Sequence, residues 1–228
     1  MKARTQKVRI PEGGAIRDEE GMSAERYAEI MKKRLWKEYR RFAALSLELG
    51  RTARDGRALE IGSGPGWISI LLAGERPDLK IDMVDASADM VRASRANVVE
   101  AGLASHVSVG QGTAERIDEA VSGPYDLVYS HDSLHHWSDP AAAFDRIRSL
   151  LAPGGVMVVG DERRNIGAGA SLLVAVLSRL IGPMGAFWRS SIAAGYTGEE
   201  ARLFLEGAGF SEFRVEEEFL SLMIVARR

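Results

Sequence analysis

The sequence predicts an α/β fold, a doubly wound and mostly parallel sheet, on three observations. Short apolar runs alternate with amphipathic stretches along the middle of the chain. Acids and glycines recur just after the apolar runs, where the carboxyl ends of parallel strands would lie. Two closing apolar runs stand too close together for a parallel crossover and can pair only as an antiparallel hairpin.

The elements follow in order. Residues 1–22 mix charges with Pro11, Gly13 and Gly14 and read as a loose arm. Ser23 is a suitable N-cap, after which Tyr27, Met31, Leu35, Tyr39, Phe42, Leu45 and Leu49 recur at helical intervals up to Gly50. That pattern predicts one amphipathic helix or a broken pair. RALEI (57–61), KIDMVD (80–85), HVSVG (106–110), YDLVYS (125–130) and VMVVGD (156–161) read as five strands. Between them GWISILLAG, SADMVRASRANVVEAG and DPAAAFDRIRSLLAPGG read as helices, the last stopped by Pro153 and two glycines. An apolar segment (166–188), a helix in TGEEARLFLEGAGF and the runs FRVEEEF and LSLMIVARR complete a seven-stranded sheet with an antiparallel last strand. The domain reading is an arm and helix at 1–50 and a main domain at 51–228 with an insert at 166–195.

Composition narrows the function classes. The 228 residues are 46% hydrophobic and 27% charged, with a formal net charge of −2, which argues against a dedicated nucleic-acid binder. Residues 1–57 carry 15 Lys/Arg against 9 Asp/Glu, whereas the remainder carries 15 against 23. The basic leading part suits an anionic partner or a solvated helix face. With no cysteine, disulfides, thiolate metal sites and a cysteine nucleophile are excluded, and a cytoplasmic location is expected. The first thirty residues lack an apolar signal core. The most apolar segment, 170–187, is interrupted by Arg179 and Pro183, so no membrane span is expected.

The chemistry concentrates in LEIGSGPGW (59–67). No GKS or GKT follows a glycine loop, which closes the P-loop option. The dinucleotide fingerprint G-x-G-x-x-G is damaged, because Trp67 stands at its third place counted from Gly62, or Ser69 counted from Gly64. The pattern present is an acid, Glu60, followed by Gly62, Gly64 and Gly66. Glycines there let backbone approach a ligand closely, or shape a tight turn and nothing more. Asp85 ends the second strand, where a carboxylate can accept from ribose hydroxyls or cap the next helix. Met90 suits an adenine face or the core. SHDSLHHW follows strand four. Its His131 suits a general base or an orienting group, and His135 and His136 suit a scaffold or, less well, a metal set. Asp161, Glu162, Arg163 and Arg164 suit an acceptor-recognition site or a solvated charge cluster.

LEIGSGPGW, VDAS, YDLVYSHDSLHHWSDP and LLAPGGVMVVGD together resemble the class I S-adenosylmethionine-dependent methyltransferases, particularly those acting on small molecules. The resemblance covers residues 57–161 and, more loosely, 196–228. It implies a Rossmann-like fold with S-adenosylmethionine bound by Glu60, Gly62, Ser63, Gly64, Gly66, Asp85, Ala86, Met90, Thr113, Ala114, Ser130 and His131. Thr113 stands where relatives carry an acid for the adenine amino group. A lid role for the helix within 1–50 and an acceptor-side place for the insert at 166–195 are likewise what the resemblance implies. Tyr27, His135 and Arg163 are the expected acceptor-side residues and His131 the candidate catalytic group; no metal is expected. The expected acceptor is a small organic molecule with an apolar body, and a homodimer is one arrangement the insert would allow. Two alternatives stay open: an NAD-linked oxidoreductase, although no Tyr-x-x-x-Lys pair occurs, and an S-adenosylmethionine-binding sensor without turnover.

Overall fold

The structure, a computed structural model, describes residues 8–11, 23–182 and 184–228. Most of the arm at 1–22 and Pro183 therefore lie outside the described residues. The elements are α1 (Ala24–Gly50), β1 (Arg57–Ile61), α2 (Trp67–Glu75), β2 (Lys80–Asp85), α3 (Ala88–Glu100), β3 (Val107–Gln111), α4 (Ile117–Ala120), β4 (Tyr125–His131), α5 (Pro140–Leu150), β5 (Leu151–Glu162), α6 (Ala168–Leu180), α7 (Met184–Ala194), α8 (Gly198–Gly207), β6 (Glu212–Glu217) and β7 (Ser221–Arg227).

The seven strands form one sheet in the order β3-β2-β1-β4-β5-β7-β6. The first five are parallel, and β7 runs antiparallel to both β5 and β6. Strand order reverses between β1 and β4, and ligands of open α/β sheets bind outside the carboxyl ends at such a switch point. Helices cover both faces. Phe42 and Ala43 of α1 pack with Leu72, Val98, Leu127 and Tyr129 on one face; Phe144, Ile147 and Leu205 pack with Leu59, Val128 and Met157 on the other.

Local chemistry explains the boundaries. Ser23 caps α1 by accepting from the Arg26 N–H, and α1 runs unbroken for 27 residues to a left-handed Arg51. Gly102 takes φ +72 behind α3, and the Leu103 N–H returns to the Val98 carbonyl, as a Schellman stop requires. Thr197 and Glu200 form a reciprocal capping box on α8. Two boundaries differ from the sequence reading. α5 ends at Leu150 and β5 begins at Leu151, five residues early, because Pro153 disfavours helix at the preceding residue and the segment pairs with β4 through a register shift. The apolar insert is two helices, α6 and α7.

α1 is anchored near the carboxyl edge by Trp67, whose indole N–H donates to the Ala28 carbonyl at 3.2 Å. The Lys32 ammonium sits 4.2 Å over the Trp67 ring. Trp67→Phe removes that buried hydrogen bond and the five-membered ring of the indole, so urea denaturation is expected to show a loss of about 2–3 kcal/mol.

Candidate functional site

A cavity of about 280 Å³ opens at the switch point, walled by the β1–α2 turn, the ends of β2 and β4, the turns after β3 and β4, and the start of α1. The glycine turn forms its floor. Gly62, Gly64 and Gly66 all take positive φ, at +70, +50 and +82, and the Gly62 and Ser63 N–H groups donate to the Val84 carbonyl. Their surroundings differ. A Cβ on Gly62 would lie 1.8 Å from Ser133 Oγ, one on Gly66 would strike Met83 Cε at 2.5 Å, and one on Gly64 would meet nothing within 4 Å. Gly64 therefore leaves space that a ligand can take, while Gly66 serves packing and lies outside the lining.

Three acids border this floor. Glu60 is 2% exposed and accepts from the Ser69 hydroxyl at 2.5 Å, which in turn is 2.5 Å from the Tyr129 hydroxyl. Burial pushes its carboxyl up to about 8, against the opposing effects of Ser69 and His131. Asp85 accepts from the Gly64 and Ser87 N–H groups at 2.7 and 2.8 Å. Burial raises its carboxyl, and those two donors oppose the rise. Ser87, not Asp85, caps α3. Asp132, at φ +51, is desolvated, yet the His131 charge beside it holds it below the usual carboxylate range.

His131 sits at the end of β4 with its Nε2 3.6 Å from Glu38 and its Nδ1 3.2 Å from Asp132. Phe42 and Tyr39 meet its ring edge-on. Burial alone would lower its pKa, but Asp132, Glu38 and Asp161 outweigh burial and raise it to about 9. At neutral pH the ring carries its second proton, which suits an orienting cation better than a base. Glu38, His131 and Asp132 bring three donor atoms within 4.8 Å of one another; the ion pairs to His131 account for that closeness. His135 does not join them.

The sequence matches a family model described as a methyltransferase domain over residues 59–157. It is 30% identical over 161 residues to a ubiquinone biosynthesis O-methyltransferase of Caulobacter sp. (strain K31), covering 69% of this chain and 61% of that protein. It is 31% identical over 112 residues to a ribosomal RNA small subunit methyltransferase C of Klebsiella pneumoniae, covering 46% of this chain and 31% of that one. A solved structure of a candidate S-adenosyl-L-methionine-dependent methyltransferase from Methanococcus maripaludis superposes with a TM-score of 0.70 at 25% identity, over 95% of this chain and 96% of that one. The family model, the relatives and the solved structure together support a class I S-adenosylmethionine-dependent methyltransferase, and the chain spans less than two thirds of the Caulobacter relative's length.

The residues present fit the methyltransferase cofactor, S-adenosylmethionine. Ser63 has a buried hydroxyl with no hydrogen-bond partner among the described residues, Gly64 leaves open space where a side chain would stand, and Glu60 is a buried acid able to meet an ammonium. Of the expected cofactor residues, Glu60, Gly62, Ser63, Gly64, Asp85, Ala86, Met90, Thr113, Ala114 and His131 all line the cavity. Ser130 does not: its hydroxyl donates to the Ile61 carbonyl at 2.8 Å and ties β4 to β1.

On the acceptor side Tyr27 lines the cavity, and two other expectations are corrected. His135 is buried with Nδ1 2.7 Å from Asp161 Oδ1, and its backbone N–H donates to Oδ2 of the same carboxylate. The buried acid at the end of β5 thus fastens the 134–136 turn instead of facing an acceptor. Arg163 reaches the Glu218 and Asn165 carbonyls and Glu217, locking the β6–β7 hairpin, because the chain has already left the sheet edge there. Of the neighbouring aromatics, Tyr39 lines the cavity, whereas Trp36 packs edge-on against Trp67 and Trp188 against the cluster under α6. Met31, Glu115, Asp132, Ser133 and Trp137 also line it and were not singled out from sequence. Glu115 had a signal: it is the acid nearest Thr113, and it accepts from the Ser138 and Asp139 N–H groups.

Proposed function

We propose that this chain transfers the methyl group of S-adenosylmethionine to a small, partly apolar organic acceptor, in the cytoplasm. The observation that carries this reading is the wall of the cavity, to which Tyr27, Met31, Tyr39 and Trp137 contribute together with the polar His131 and His136. Such a wall suits an apolar body with one polar reacting group.

The bound cofactor supplies an activated methyl group on a sulfonium. The acceptor's lone pair forms the new bond to the methyl carbon as the sulfur–carbon bond breaks, leaving S-adenosylhomocysteine, the methylated product and a proton for solvent. What the chain does is bind and align. Glu60 and Ser63 hold the amino-acid end, and Asp85 uses its remaining lone pairs for ribose hydroxyls. Gly112, Thr113 and Ala114 border the base, and Met90 covers one of its faces. His131, charged and held between Glu38 and Asp132, orients the acceptor oxygen or another electron-rich atom.

Methyl transfer from radiolabelled S-adenosylmethionine, tested on lipophilic phenols, quinols and amines beside peptides and RNA, decides the matter. Label is expected in one of the small molecules. Label only in peptide or RNA, or saturable cofactor binding with label in none, overturns the acceptor class.

A further inference from the structure

We propose that the outer face of α6 docks this protein on an anionic lipid surface. Among the described residues ten large hydrophobics are exposed, and five of them stand on this one helix. They are Leu172, Leu173, Val176, Leu177 and Leu180, with Leu172 68% and Leu180 76% exposed. The spacing i, i+1, i+4, i+5, i+8 places them on one side at 3.6 residues per turn. Ala170, Val174 and Ser178 lie on the other side, turned into the fold. An isolated exposed leucine needs no explanation, but a continuous stripe does.

Charge names the occupant. From Asn165 to Gly198 the chain has no aspartate or glutamate, and its only charges are Arg179 and Arg189. Arg179 follows the helical wheel to the rim of the apolar stripe, one residue before Leu180. Arg189 of α7 is exposed and donates to the Ser178 hydroxyl at 2.6 Å. An apolar stripe edged by Arg179 and free of acids, with Arg189 held against the inner side of α6, is the composition of a helix lying in the headgroup region, its hydrophobics below and its cation at the phosphates.

A second copy of the chain fits less well. Thirteen residues make a helix about 20 Å long and about 10 Å across. That face by itself is well short of the roughly 800 Å² of accessible surface per partner buried in a stable complex. A two-fold contact would also set this patch against itself, and the patch holds no acid to receive either arginine. The docking face lies at the cavity's edge of the sheet: α6 follows the carboxyl end of β5, and α7 packs on the 134–136 turn, whose His136 lines the cavity. The proposal does not depend on which acceptor is methylated.

The test uses the full chain saturated with S-adenosylhomocysteine, sedimented with vesicles of phosphatidylcholine alone or mixed with phosphatidylglycerol. The wild type is expected to sediment with the mixed vesicles and far less with the neutral ones. Leu172→Gln/Val176→Gln/Leu180→Gln should weaken that binding about tenfold or more. Arg179→Gln should cut the preference for anionic vesicles about fivefold. Because these side chains face outward, thermal unfolding and S-adenosylhomocysteine affinity should stay at wild-type values, which separates lost docking from lost fold. Three results overturn the proposal: equal or absent binding of the wild type to the two vesicle types, vesicle binding unchanged in the triple variant, or a dimer in sedimentation equilibrium that the triple variant dissolves.

Discussion

Glu60→Gln is expected to weaken S-adenosylmethionine binding about 10- to 100-fold while leaving the fold intact. Hydrogen bonds to a charged group contribute about 1.5–3 kcal/mol, and about 1.4 kcal/mol is a factor of ten. Glutamine keeps the shape and an acceptor for the Ser69 hydroxyl, so what disappears is the charge facing the cofactor's ammonium. Isothermal titration of wild type and variant measures the ratio. A ratio near one would mean that the ammonium lies elsewhere.

The same carboxyl makes binding depend on pH. Its pKa of about 8 in the free protein leaves it largely protonated at pH 6.5, whereas pairing with an ammonium requires the ion. Affinity should therefore rise from pH 6 towards 8, by up to about tenfold per unit, with proton release on binding over that range, and fall above it as the cofactor's own ammonium loses its proton. The Gln variant should lose this slope. Stability runs the opposite way. An acid whose folded pKa exceeds its unfolded value of 4.5 contributes fully below 4.5, and the contribution is lost as pH rises through 8. His131 and Glu162, each raised to about 9, tilt the free protein in the same direction. The difference between wild type and Glu60→Gln isolates the one carboxyl.

The fold was legible because its signals are local. RALEI and KIDMVD are apolar runs with the bounds of β1 and β2, and the close spacing of the last two runs forced the hairpin of β6 and β7. The cofactor floor was legible for the same reason, since Glu60, the glycines and Asp85 lie at strand ends that the alternation itself locates. What escaped depends on contacts distant in sequence. Asp161 and His135 are 26 residues apart and meet only because β4 and β5 are neighbours. Arg163 looked acceptor-facing by register, yet Glu217, 54 residues on, draws it to the hairpin. The charge on His131 rests first on its neighbour Asp132 and only then on Glu38, which arrives from a helix 93 residues earlier.

The glycine turn separates architecture from binding, and three substitutions should fall in a fixed order. Gly64→Val costs about 1–2 kcal/mol of backbone strain at its φ of +50, with no clash at Cβ, which meets no described protein atom within 4 Å. The branched side chain instead occupies the cofactor's space, so a folded protein with more than about 100-fold weaker S-adenosylhomocysteine binding is expected. Gly62→Ala carries a similar strain and a clash with Ser133, whose hydroxyl is held by the Trp137 indole N–H at 3.1 Å. Overpacking adds about 1–3 kcal/mol, so the loss of stability should reach about 2–5 kcal/mol. Gly66→Ala should fall between the two, since the Met83 methyl it strikes ends a flexible chain. Ser133→Gly should recover part of the Gly62→Ala loss in a double-mutant cycle but none of the binding lost in Gly64→Val. If Gly64→Val bound S-adenosylhomocysteine as tightly as wild type, the open space above residue 64 would not be the cofactor's, and the assignment of the cavity would fail with it.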